Sequence, residues 1–262
     1  MPHVHCTLDD GIAVVTMDSP PANAFTDALH DEFLAALDHL AGRTVRAAIV
    51  TGTGRFFQAG GDMNRFLTLH TLADAEAFVR RAQSFMDRIA AAPWPTIAAI
   101  NGYALGGGLE IALACDLRVA AADDRLGLPE VSYGILAGAG GTQRLARLVG
   151  PGRAKWLMYT GRQLTAAQAL EWGIVEQVVA PERLLDECRA LATEIAGNSP
   201  VAVRHVKQCV DEGLQLPLEA ALALERDYWA RLIPCGDYRE GVRAWLEKRR
   251  PRYPDVPPAG NS

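Results

Sequence analysis

The sequence predicts a mixed α/β (α+β) protein in which strands and helices alternate over the first two-thirds and helices fill the last third. Three observations carry this prediction. Short strand-like apolar runs recur at 12–18, 45–54, 96–101 and 117–123, the first of them rich in β-branched residues. Stretches with apolar residues at helical spacing stand between them. From Pro181 onward only the helical spacing recurs. A chain of 262 residues, 49% of them hydrophobic, can bury a substantial core without staples and suits one large domain with a smaller appendage. No repeat or low-complexity linker interrupts it, so any second lobe packs tightly on the first.

Each element has its own local reason. IAVVTMD (12–18) alternates loosely and reads as a strand. In FTDALHDEFLAAL, Phe25, Leu29, Phe33, Leu34 and Leu37 fall on one helical face, with Thr26 or Asp27 as the cap. VRAAIVTGTG (45–54) is a short buried strand ending in a glycine turn. ADAEAFVRRAQSFMDRIAAA (73–92) is an amphipathic helix, stopped by Pro93 and Pro95. TIAAIN (96–101) is a strand, Gly106–Gly107–Gly108 open a helix through about Ala114, and LRVAAAD (117–123) is a strand again. GRAKWLMYTG and TAAQALEWG are two helical pieces around a turn. Beyond Pro181, ERLLDECRALATEIAG, PVAVRHVKQCVDEG, PLEAALALERDYWARLI and DYREGVRAWLEKRR read as helices, and the Pro-rich tail PRYPDVPPAGNS reads as frayed.

Composition narrows the function. A formal charge of −5 argues against nucleic acid as the main partner, since phosphate binding needs a basic face. Cys6, Cys115, Cys188, Cys209 and Cys235 are scattered, odd in number and lack a C-x-x-C pair. That disfavours a disulfide framework or zinc site and favours a reducing compartment. The start of the chain has no apolar core of signal-peptide length, and no segment offers the roughly 18 apolar residues of a membrane span. A soluble cytoplasmic protein is the expectation. His3, His5, His30, His39, His70 and His205 fall outside every motif, and His3-x-His5 reads as a solvated terminus rather than a metal pair.

The informative stretch is NGYALGGGLEIALACD (101–116), where a strand runs through Gly102 into a glycine triplet that opens a helix. The first turn of a helix leaves backbone N–H groups without internal partners, and its dipole adds partial positive charge there. Without a Cβ in the way, a ligand oxygen can approach those donors closely, which makes an oxyanion hole from backbone alone. Close helix–strand packing is the alternative use of such a triplet. Nucleotide fingerprints fail: GTGRFF lacks the third glycine, GYALGGG has the wrong spacing, and GPGRAK is not a phosphate loop. Glu110 lies one turn into the helix and can share a cavity with Gly107. Glu130 follows a predicted strand end, its approach fixed by Pro129, and a third glycine cluster occupies 138–144. Either glutamate alone reads as a cap or salt-bridge partner. Two in apolar, glycine-rich surroundings can divide roles, because burial and like charge raise a carboxyl pKa and leave one as acid while the other is base.

FFQAGGDMNRF, NGYALGGGLEIALACD, GLPEVSYGILAGAGGTQRLARLVG and REGVRAWLEKRR together resemble the successive signatures of the crotonase superfamily, specifically its enoyl-CoA hydratases, collinear over roughly residues 5–252. The resemblance implies a spiral of ββα turns over residues 1–195 that carries the active site. Residues 196–262 become a helical region that makes homotrimers, often paired into hexamers. It implies syn addition of water to a trans-2-enoyl-CoA to give the 3-hydroxyacyl-CoA, or the reverse, with double-bond isomerisation or C–C bond cleavage on an acyl-CoA as the alternative. Gly61 and Gly107 match the two oxyanion donors. Glu110 and Glu130 match the two catalytic glutamates, Glu110 mainly activating water and Glu130 supplying the α-carbon proton. Coenzyme A contacts fall to Ala59, Gly61, Asp62, Met63, Asn64 and Gly107, and to Trp245 and Lys248, partly from a neighbouring subunit. Neither a metal nor a nicotinamide is implied, coenzyme A being part of the substrate. The chain departs from the pattern at Leu136–Ala137, where relatives usually have Ile-Pro beside the loop of Glu130. Its segment between Asp62 and Trp94, which lines the acyl pocket, is about three residues longer than in short-chain hydratases.

Overall fold

The structure, a computed structural model, describes residues 2–254. It opens on a strand absent from the sequence reading, β1 (Val4–Asp9), which turns through Asp10 and Gly11 (φ +46° and +77°) into β2 (Ile12–Met17). The pair is antiparallel, with Asp9 opposite Ile12. β3 (Ala47–Gly52) lies parallel to β2. Two three-residue strands, β4 (Phe56–Gln58) and later β6 (Tyr103–Leu105), flank β5 (Thr96–Ile100) in the chain. β7 (Leu117–Ala121), β8 (Arg125–Gly127), β9 (Gln163–Thr165) and β10 (Gln177–Val179) complete the strands. They form two sheets, one ordered β1-β2-β3-β5-β7-β10 and one ordered β4-β6-β8-β9.

The six-stranded sheet is covered on both faces, and its side chains sort by the two-residue period of a strand. Ala13, Val15, Ala48, Val50, Ala98 and Ile100 face one core, shared with α1 (Asp27–Ala41), α3 (Leu72–Ala90) and α4 (Gly107–Ala114), whereas the short α2 (Met63–Phe66) has no buried residue. Ile12, Val14, Ala47, Ile49, Ile97 and Ala99 face the other. Burial on both faces explains why these strands read as continuous apolar runs. Thr26, rather than Asp27, caps α1, its hydroxyl accepting from the Leu29 amide at 3.2 Å.

The last third is helical, as expected; ahead of it the structure adds the strands β9 and β10 and one helix absent from the sequence reading. The glycine cluster at 138–144 runs directly into a helix, α5 (Gly141–Val149), followed by α6 (Pro151–Thr160) and α7 (Ala166–Glu171). α8 (Leu184–Ala196) covers the second face of the large sheet with Leu184, Cys188 and Ala192. α9 (Pro200–Gly213), α10 (Leu218–Cys235) and α11 (Asp237–Leu246) follow. Lys207 of α9 pairs with Asp116, and the Ser199 hydroxyl donates to Asp237 at 2.6 Å, fastening these helices to the body and to each other. The last helix is shorter than the sequence suggests: it ends at Leu246, and Lys248 has φ +56°. The start of the tail is not frayed, because Arg46 donates to the carbonyl oxygens of Tyr253 (3.1 Å) and Pro254 (3.3 Å). The remainder of the expected frayed tail, 255–262, lies outside the described residues.

Candidate active site

The glycine triplet divides its work residue by residue. Gly106 sits at φ +53°, a conformation L side chains rarely adopt, and donates its N–H to the Gly127 carbonyl at 2.9 Å. A Cβ on Gly108 would lie 2.0 Å from the Gln58 carbonyl oxygen, so this glycine serves close packing of α4 on β4. Gly107 is different. A Cβ there would meet nothing nearer than 3.7 Å, and as the first residue of α4 its N–H has no intrahelical acceptor. The close-packing reading thus holds at Gly108, while Gly107 keeps its amide open beside the cavity.

The segment 58–61 lies against this turn. Gly60 (φ +100°) is locked by Gln58, whose side-chain oxygen accepts from the Gly60 amide at 2.8 Å while its amide nitrogen donates to the Gly60 carbonyl at 3.1 Å. Phe25 also donates to that carbonyl, at 2.9 Å. A Cβ on Gly60 would come within 3.9 Å of the Gly107 nitrogen, so the two glycine turns adjoin. Among the described residues, neither the Gly61 nor the Gly107 amide donates to a protein acceptor.

Both turns open on one cavity of about 950 Å³, lined also by Glu110 and Glu130. Glu110 is 4% exposed, and its Oε1 accepts a 2.7 Å hydrogen bond from the Gly141 amide at the start of α5. Burial pushes its carboxyl up, while the Gly141 and Ala139 amides and the Arg144 guanidinium oppose the rise. Glu130 opens a 3₁₀ turn (Glu130–Tyr133) directly after Pro129. Its Oε1 lies 2.9 Å from where a Cβ on Gly106 would stand, and its Oε2 is buried without a partner. Burial first, and the charge of Glu110 in addition, push Glu130 up to about 7. The rest of the lining is largely apolar, with Phe66 packed on Phe78 at 5.1 Å between ring centres and Met86 deeper in α3.

Of the expected contact residues, Ala59, Gly61, Met63 and Gly107 line this cavity, whereas Asp62 and Asn64 do not. Asp62 caps α2, accepting from the Asn64 amide at 3.0 Å. Trp245, 77% exposed on α11, and Lys248 beyond its end also lie outside the lining. The sequence reading missed Gly141, Gln58, Gln83 and the Phe66–Phe78 wall. For Gly141 the glycine cluster itself was the signal; for Gln58 and Gln83 there was none, since only the fold brings them to the turns they hold.

Two unpaired amides beside two buried carboxylates suit a reaction that builds negative charge on a carbonyl oxygen while a proton is taken and another given. That is the signature of an enzyme, and the relatives agree with the geometry. The chain belongs to the enoyl-CoA hydratase/isomerase family, whose model matches residues 7–256. It is 38% identical to the short-chain-enoyl-CoA hydratase of Clostridium acetobutylicum over 91% of this chain and 92% of that one. It is 42% identical to the crotonyl-CoA hydratase of Syntrophomonas wolfei over 80% of each. The crystal structure of an enoyl-CoA hydratase from Bacillus anthracis superposes with a TM-score of 0.92 at 37% identity, covering 97% of this chain and all of that one. The crotonase fold expected from the sequence is thereby established.

Proposed function

We propose that this chain is a hydro-lyase that adds water to a trans-2-enoyl-CoA, or removes it from the 3-hydroxyacyl-CoA. The observation that carries this reading is the meeting of both carboxylates and both free amides in one cavity. In the proposed step, Gly61 and Gly107 donate to the thioester oxygen as charge moves onto it from the double bond. Glu110, whose carboxylate form the Gly141 and Ala139 amides favour against its burial, takes a proton from water, whose oxygen bonds to the β-carbon. Glu130, with its pKa near 7, gives a proton to the α-carbon. One C–O and one C–H bond form, the C=C bond becomes single, and no electrons are exchanged, so no redox cofactor is needed.

Asp62, Asn64, Trp245 and Lys248 remain coenzyme A contacts in this reading, the last two reaching a neighbouring subunit's site. Homotrimer or hexamer assembly is supported by the large apolar side chains that α9–α11 expose, among them Val206, Leu214, Leu218, Trp229 and Trp245. Residues 1–195 are the catalytic body and 196–262 the assembly region. Five free thiols favour a reducing compartment, read here as the cytoplasm; no helix of the described residues is long and apolar enough to cross a membrane.

The test is loss of conjugated-thioester absorbance when purified protein meets crotonyl-CoA. The reading predicts rapid loss in wild type and a fall of about 10²–10⁴ in each of Glu110→Gln and Glu130→Gln. Unchanged rates in both variants overturn it.

A further inference from the structure

Glu110 is not held by its own helix. The segment 138–141 holds it, and that segment is gripped from outside. Arg144, in the first turn of α5, folds back so that Nη1 donates to the Ala139 carbonyl at 3.2 Å. Its Nη2 donates to Asp87 on α3 at 2.9 Å. The guanidinium lies so close over Gly140 (φ +112°) that a Cβ there would stand 2.2 Å from Nη1. Gln83, also on α3, donates to the Gly138 carbonyl at 2.9 Å. Gln83 thus fixes the peptide whose other end is the Ala139 amide, and Arg144 fixes the next peptide along, whose neighbour carries the Gly141 amide; both amides are turned to the Glu110 carboxylate.

We propose that Arg144, braced by Asp87, is a positioning residue that sets both the aim and the charge state of Glu110. It touches neither the cavity nor a reacting atom: the cavity lining passes from Gln143 and Thr142 to the glycines without it. Its action is indirect, through the peptide segment it clamps and through its charge. The charged groups facing Glu110 are Glu130 from the 3₁₀ turn and Arg144 from α5. α3 contributes neutral Gln83 and Asp87, whose carboxylate is engaged by Arg144, and β4 contributes neutral Gln58. Arg144 is therefore the cation facing Glu110; its charge opposes the burial of that carboxyl less than the Gly141 and Ala139 amides do, and losing both its charge and its clamp moves the base toward its protonated form.

This inference rests on Glu110 acting as the base, and its test keeps the two ideas apart. In Arg144→Met, kcat for crotonyl-CoA hydration falls about tenfold to a hundredfold, the scale expected when a reacting group is misplaced by about 1 Å, while KM changes little. The acid limb of the kcat–pH profile moves to higher pH. Arg144→Lys returns the limb toward its wild-type position, because charge is restored, but recovers only part of kcat, because one ammonium cannot span Ala139 and Asp87 together. Asp87→Asn, which keeps the cation and removes its brace, loses less than Arg144→Met. The independent readout is the ¹³C titration of the Glu110 carboxyl in glutamate-labelled protein, assigned by its absence in Glu110→Gln. Its midpoint rises in Arg144→Met whether or not crotonyl-CoA is a substrate, so a wild type that leaves crotonyl-CoA intact overturns the hydratase reading alone. A lower melting temperature with an unmoved midpoint and an unmoved acid limb makes Arg144 merely structural and overturns the positioning role.

Discussion

The amide of Gly141 donates a 2.7 Å hydrogen bond to Oε1 of Glu110, so the first turn of α5 caps a carboxylate that belongs to a different helix. A helix N-terminus stabilises negative charge on whatever acceptor it meets, and here the acceptor is the group read as the catalytic base. The contact leaves no spare room. A Cβ on Gly141 would lie 2.9 Å from the Ala137 Cβ and 3.0 Å from Glu110 Oε1. Gly141→Ala is therefore expected to fold and to lose at least tenfold in kcat, as its methyl group pushes the carboxylate off its amides. Steady-state hydration kinetics beside a thermal melt check both halves.

Glu130 makes stability depend on pH in a definite direction. Its ordinary value of 4.5 is raised to about 7 in the folded protein. Between those values the native state holds a proton that the unfolded chain has released, so stability falls as pH rises through this window. Glu130→Gln removes the cost. At pH 8 the variant is expected to be more stable than wild type by on the order of 1–3 kcal/mol, with this difference gone at pH 4. Urea unfolding at the two pH values measures it. With Glu130 as the proposed proton donor, wild-type kcat should also decline above about pH 7, and the variant should have no such limb.

The glycine triplet offers a paired test of backbone chemistry. Gly107→Pro deletes the N–H at the first position of a helix, where proline is well tolerated. The fold should survive and kcat should drop about 10²–10³-fold, as for removal of one oxyanion donor. Gly108→Ala keeps every donor but drives a methyl group to within 2.0 Å of the Gln58 carbonyl. It should instead cost about 3 kcal/mol or more of stability, as overpacking does. Circular-dichroism melts with crotonyl-CoA kinetics on both variants separate the two outcomes.

Chain-length selectivity should reside in the aromatic wall. Phe66 meets Phe78 edge to face, and its ring sits where a Cβ on Gly61 would come within 2.8 Å. Phe66→Ala opens the cavity beside the oxyanion turn. The ratio of kcat/KM for an eight-carbon over a four-carbon enoyl-CoA is expected to rise roughly tenfold, in line with the few kcal/mol a pocket gains per filled methylene group.

Much of this was legible in the residues, and the failures have physical causes. Strands of the large sheet stood out because burial on both faces writes a continuous apolar run, as in TIAAI of β5. Long amphipathic helices such as α3 carried their own period and caps. The four strands of the small sheet are three residues each, too short to show any period, and they exist because neighbouring backbone supplies the ladder. β1 was different: Asp10-Gly11 between two alternating segments is a strong hairpin signal, and VHCTLD alternates half-buried Val4, Cys6 and Leu8 with exposed His5, Thr7 and Asp9. At the site, the amides and glutamates announced themselves through glycine. Arg144 and Gln83 did not, since a helical arginine and glutamine look like surface until α3 and the 138–141 turn are seen together.

All of the cavity lining comes from residues 25–163, and none of it from α8–α11. The wall of the reaction chamber is thus written in one stretch of the gene and the closing helices in another, so the chamber can be kept while those helices change. On the proposed assembly role of 196–262, a chimera carrying another relative's last third should inherit that relative's quaternary habits and keep its own chemistry, with coenzyme A affinity shifting where Trp245 and Lys248 are replaced. Such separability is one way a single scaffold can be re-housed many times over without reinventing its reaction.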